Sequence, residues 1–164
     1  MRRRTMAGEN DLFNIEAGKK RPQEEILSRV VSSTFEKMGF MEARLTEEEP
    51  AAADRICARI EILAPFHAQL FFSAPRQLGW TIAENLYGLE ELTLEAVADM
   101  MTELLNTITG SLLSEVLPDQ QFNLAIPRLC TEMPDNQAQS YVYHFNIDNN
   151  GIITITLAAD TPDR

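Results

Sequence analysis

Cysteine is nearly absent: Cys57 and Cys130 are the only two in 164 residues. Two thiols cannot build the disulfide framework of a small secreted domain or a four-cysteine zinc site, and they fit a reduced intracellular protein. Histidine is as scarce. His67 and His144 lie in strand-like stretches without ligand-spaced neighbours, so no metal of the protein's own is expected. There is no glycine-rich phosphate loop and no nucleophile elbow. No apolar run approaches the roughly 20 residues of a membrane span. The first residues carry the charge of a signal peptide with no apolar stretch behind it, so the expected location is cytoplasmic.

Cations are also short. The net charge is −11, yet residues 1–22 hold six Lys and Arg against three acids, which leaves eight cations against 22 acids and a net of −14 for the rest. A body this acidic repels nucleic acid and anionic lipid, and its natural partners are proteins with basic patches. Arg2, Arg3 and Arg4 are better taken as part of a solvated tail than as a nucleic-acid or membrane arm. Residues 1–21 show little periodicity and are expected to be a flexible N-terminal tail, with residues 22–164 as one domain.

What is present is concentrated in one stretch, 93–117, TLEAVADMMTELLNTITGSLLSEVL. At 100° per residue, Val97, Met101, Leu104 and Ile108 line one side, flanked by Leu94, Leu105 and Leu112. Asp99, Glu103, Asn106 and Gly110 cluster on the other. That face holds two carboxylates and an amide, carries no cation and ends in glycine, which costs a helix interior about 1 kcal/mol relative to alanine.

The remaining elements follow from period and punctuation. A first helix is expected over 23–38, with Pro22 in its first turn and Gly39 as its stop. A short strand at 40–45 follows, then an acidic loop. Alternating runs at 55–63 and 66–72 form a hairpin around Ala64-Pro65. Ser73 is an N-cap candidate for a short helix ending at Gly88, on which Trp80 and Tyr87 are expected in the core. After Pro118 a strand at 121–129 contains Pro127, which suggests an edge or a bulge. The chain closes with a hairpin, 140–147 and 152–158, around Asn149-Asn150-Gly151.

The expected fold is α+β: two long helices packed on a mostly antiparallel sheet, with a short third helix. Helix, strand and hairpin occur at 23–73 and again at 93–159, so an internal pseudo-twofold repeat is expected. Aligning the halves sets Ser32 under Asp99, Glu36 under Glu103 and Gly39 under Asn106. The first copy has lost its amide, and its face is expected to be silent.

Asp99-x3-Glu103-x2-Asn106, with Pro127 on the next strand after twenty intervening residues, resembles the motif of the CheC/CheX/FliY group of chemotaxis phosphatases. The resemblance covers about residues 23–159, and a single intact motif looks more like CheX than the two-site CheC. It implies docking on a phosphorylated, CheY-like response regulator and hydrolysis of its aspartyl phosphate. Asn106 would orient the attacking water, Glu103 would pair with a lysine of the regulator, Asp99 would support, and Gly110 would leave room for the partner. No cofactor of its own is implied, since the regulator carries the Mg²⁺. The family also implies a homodimer joined through sheet strands. The alternative is a non-catalytic module that recognises a receiver domain without turnover.

Overall fold

The computed structural model describes residues 22–51, 54–88, 92–131 and 140–159. The expected tail at residues 1–21 lies outside the described residues. The elements are α1 Pro22–Gly39, β1 Ala43–Thr46, β2 Arg55–Ala64, β3 Ala68–Pro75, α2 Arg76–Tyr87, α3 Leu94–Val116, β4 Asn123–Leu124, β5 Arg128–Cys130, β6 Ser140–Ile147 and β7 Ile152–Ala159. The class is α+β, with three helices on one antiparallel sheet.

The strand order is β1, β6, β7, β3, β2, β4, and β5 also pairs with β2. Every described pairing is antiparallel. Alternation sends Ile56, Ala58, Ile60 and Ile62 of β2, Leu70 and Phe72 of β3, and Tyr143, Phe145, Ile153 and Ile155 of the last hairpin into a single core. Helix α3 is the hub: it packs against α1, α2, β2, β3 and β5. Its stripe of Val97, Met101, Leu104, Ile108 and Leu112 is fully buried.

Thr93 starts α3, its side-chain oxygen accepting from the Ala96 amide at 3.1 Å. That bond satisfies one of the donors orphaned at a helix N-terminus. Thr93→Ala should lower stability by about 1 kcal/mol without moving the fold, as a denaturant midpoint reads. No change would mean that solvent serves that amide equally well.

Several local expectations need correction. Helix α1 includes Gly39, and the left-handed stop falls on Phe40, at φ 52°, whose ring stands 91 % exposed. The strand expected at 40–45 starts three residues later, at Ala43, because that turn occupies the intervening chain. Ser73 caps nothing: β3 continues through it into α2, and its buried hydroxyl accepts from Arg55 Nε at 2.6 Å. The strand expected at 121–129 is broken into β4 and β5. Pro127 stands in the gap, having no N–H to give the ladder. The last hairpin lies inside the sheet, because β6 pairs with β1 and β7 with β3. Its turn takes its positive φ at Asp148 and Asn149, one residue earlier than the sequence suggested.

Candidate functional site

The site candidates all come from α3, and the helix period sets their arrangement. Since the apolar stripe is sealed against the sheet and the other helices, the opposite side must face outward. Asp99, Glu103 and Asn106 are exposed there, at i, i+4 and i+7. Gly110 continues the row, and a Cβ built on it meets nothing within 4 Å. The glycine is therefore not demanded by packing inside this chain. Near the end of α3, off this row, Glu115 pairs with Arg29 of α1.

One neighbour was not anticipated. Tyr87, the last residue of α2, donates its hydroxyl to Glu103 Oε2 at 3.3 Å. The ring packs against the core while the hydroxyl reaches the polar face. Burial, the Glu103 charge and hydrogen bond, and the Asp99 charge push the phenol above its ordinary pKa. It therefore stays a donor at neutral pH and holds the Glu103 carboxylate in place. The signal in the sequence was faint: an aromatic at the end of a short helix that must turn back onto α3.

The face of α1 that carries Ser32 and Glu36 has a different character. Ser32 and Glu36 line a hollow of about 420 Å³ with Phe40, Met41 and Glu42. Gly39 stands at the end of that helix, with no amide side chain. Of the two histidines, His67 is exposed, and His144 shares a hydrogen bond with Thr154 at 2.9 Å inside the sheet. No group of three potential metal ligands gathers among the described residues. None of the described helices is long and apolar enough to cross a membrane.

An exposed carboxylate and amide three residues apart, on a helix locked by its other face, form a rigid two-point contact surface. The carboxylate can make a charge contact, and the amide can donate and accept at once. A family model described as chemotaxis phosphatase CheX matches residues 56–147, more than half of the chain. The chain belongs to the CheX family.

The fold agrees. The CheX-family chain superposes on a chemotaxis protein CheX from Desulfovibrio desulfuricans with a TM-score of 0.67 at 13% identity, covering 84% of this chain and 99% of that one. Against CheX from Vibrio vulnificus the TM-score is 0.65 at 18% identity, over 83% of this chain and 95% of that one. A third similar structure is CheX in a CheX–CheY–BeF3–Mg²⁺ complex from Borrelia burgdorferi, with a TM-score of 0.66 at 16% identity, over 83% and 96% of the two chains. At these identities the superpositions speak to the fold. No curated protein sequence matches the chain significantly.

Proposed function

We propose that this CheX-family chain docks through the outer face of α3 on a phosphorylated CheY-like receiver domain and hydrolyses its aspartyl phosphate. The observation that carries the reading is the exposed Glu103–Asn106 pair on a helix whose opposite face is fully buried. The similar CheX that was solved with CheY, BeF3 and Mg²⁺ supports the partner class.

Each residue then has a task set by its chemistry. An aspartyl phosphate needs no protein nucleophile; it needs one water held in line with the phosphorus. Asn106 can do this because an amide donates with its nitrogen while its oxygen accepts from water. Glu103 pairs with a lysine at the receiver's site and fixes the docking. Asp99 adds negative field beside it. Gly110 leaves space for the partner's loops, in keeping with the open surface above it. The Mg²⁺ belongs to the receiver. The acidic body speeds encounter with a partner whose exposed site carries a cation.

Tyr87→Phe gives a graded test of the Glu103 contact. Losing one hydrogen bond to an exposed carboxylate should raise KM for the phosphorylated receiver by about 2- to 10-fold, with kcat nearly unchanged. A fall in kcat at constant KM would place Tyr87 in the chemistry instead.

Two further features belong to the same proposal. The chain is two related helix–strand–hairpin units. In support, exchanging β1 with β4 and β5, β2 with β6, and β3 with β7 returns the same strand order read from the opposite edge. The protein is also a homodimer joined through sheet strands. Supporting this, β1 at one edge and β4 with β5 at the other have unpaired outer sides among the described residues.

The decisive experiment is the lifetime of the phosphate on a purified receiver with and without this protein. A shortened lifetime supports the phosphatase. Binding with an unchanged lifetime replaces it with the non-catalytic module.

A further inference from the structure

Cys57 and Cys130 are distant in sequence, and the β2–β5 pairing sets them directly opposite each other. Directly opposed residues of an antiparallel pair lie about 4.5–5.5 Å apart at Cα, inside the roughly 4.4–6.8 Å range of disulfides. The two sulfurs are in contact, Sγ to Sγ 2.6 Å. Both side chains project from the sheet face turned away from the helices, since Ile56 and Ala58 on either side of Cys57 point into the core. Both are half-buried, not sealed. Alternation brings Arg55, Arg59 and Arg128 to the same face, with Glu61 one step further along β2. Neither thiol has a part in the proposed phosphatase chemistry.

We propose that Cys57 and Cys130 are a reversible dithiol–disulfide site, oxidised by small anionic disulfides of the glutathione type and locking the edge strand β5 onto β2. Cys130, on the outer strand, is the entry thiol. As thiolate it attacks one sulfur of oxidised glutathione, breaks the S–S bond and releases one glutathione thiolate. The Cys57 sulfur then attacks the Cys130 sulfur and expels the second glutathione, which takes the proton that Cys57 gives up. The protein loses two hydrogens and one glutathione disulfide becomes two thiols. Burial and the contact with Cys130 push the Cys57 thiol upward. It is therefore inert toward dissolved oxidants and reacts only with the sulfur already beside it. The arginines draw in the anionic reagent. The consequence is mechanical: β5 packs on α3 and follows the break at Pro127, so the bond pins a weakly held edge beside the hub helix.

The test is mass spectrometry of the full chain in reduced and oxidised glutathione mixtures, with alkylation after denaturation. The expected product under oxidising conditions lacks two hydrogens, has both cysteines protected and is restored by dithiothreitol. It should also melt about 5 °C or more higher, because the bond closes a long chain loop. Cys57→Ser should stall with glutathione attached to Cys130, and Cys130→Ser should leave Cys57 unmodified. Two alkylatable thiols in the oxidised wild-type chain, or a persistent glutathione adduct on it, would overturn the proposal.

Discussion

Asn106→Ala should abolish stimulated dephosphorylation of the receiver, with kcat down by about 100-fold or more, while the melting temperature stays where it was. The size follows from the task. If Asn106 fixes one water in line with the phosphorus, its loss returns that water to random approach, and misplacement of a reacting group costs about 10² in rate. The thermal result follows from the site, because the side chain is exposed and donates to nothing else among the described contacts. Binding should survive, since the docking charge sits at Glu103. Asn106→Asp is the sharper control: it keeps the shape, removes the donor and adds a charge beside a phosphate, so it should be no better than alanine. Stopped-flow phosphate release with excess variant measures kcat apart from KM. A variant with normal kcat would remove Asn106 from the water-positioning role.

Glu103→Lys should fail at an earlier step. Charge reversal removes the partner for the receiver's lysine and sets two cations face to face. Losing one member of a hydrogen-bonded charge pair at an interface costs about 2–5 kcal/mol, a drop in affinity of at least about 30-fold. Calorimetry or surface binding with a receiver carrying a stable phosphate mimic reads this directly. A reciprocal Lys→Glu change in the receiver should restore binding, which a general disruption of α3 would not allow. The fold should be untouched, because the Tyr87 hydroxyl is the only polar group that contacts the Glu103 side chain among the described residues, at 3.3 Å. Unchanged affinity would mean that this carboxylate is a solvated helix residue and that docking rests elsewhere.

The two faces of α3 were legible because helix period is a local property. Val97, Met101, Leu104 and Ile108 had to be buried together, and that forced Asp99, Glu103 and Asn106 outward. The final hairpin was legible for a similar reason, since alternation and a turn of Asp, Asn and Gly occur within a few residues. What the sequence hid was set by partners far along the chain. Ser73 looked like a cap because Pro75 follows it, and only Arg55 across the β2–β3 ladder shows why it remains in a strand. Pro127 marked an interruption, but whether a strand bulges or breaks depends on its register with β2. That β1 covers the last hairpin cannot be read from β6 itself, because the two strands are far apart in the chain. Helix period assigns Tyr87 to the core; its ring is packed there, while its hydroxyl position depends on how α2 meets α3. The same holds for Cys57 and Cys130, two unremarkable thiols until the strands are paired.

The most direct test of the central claim is a phosphate-release screen across purified phosphorylated receivers, each with its own Mg²⁺, with wild-type protein and Asn106→Ala side by side. The account predicts that at least one receiver loses its phosphate faster with the wild type and at its own intrinsic rate with the variant. Unchanged lifetimes for receivers that bind the protein, or equal acceleration by both forms, would contradict it.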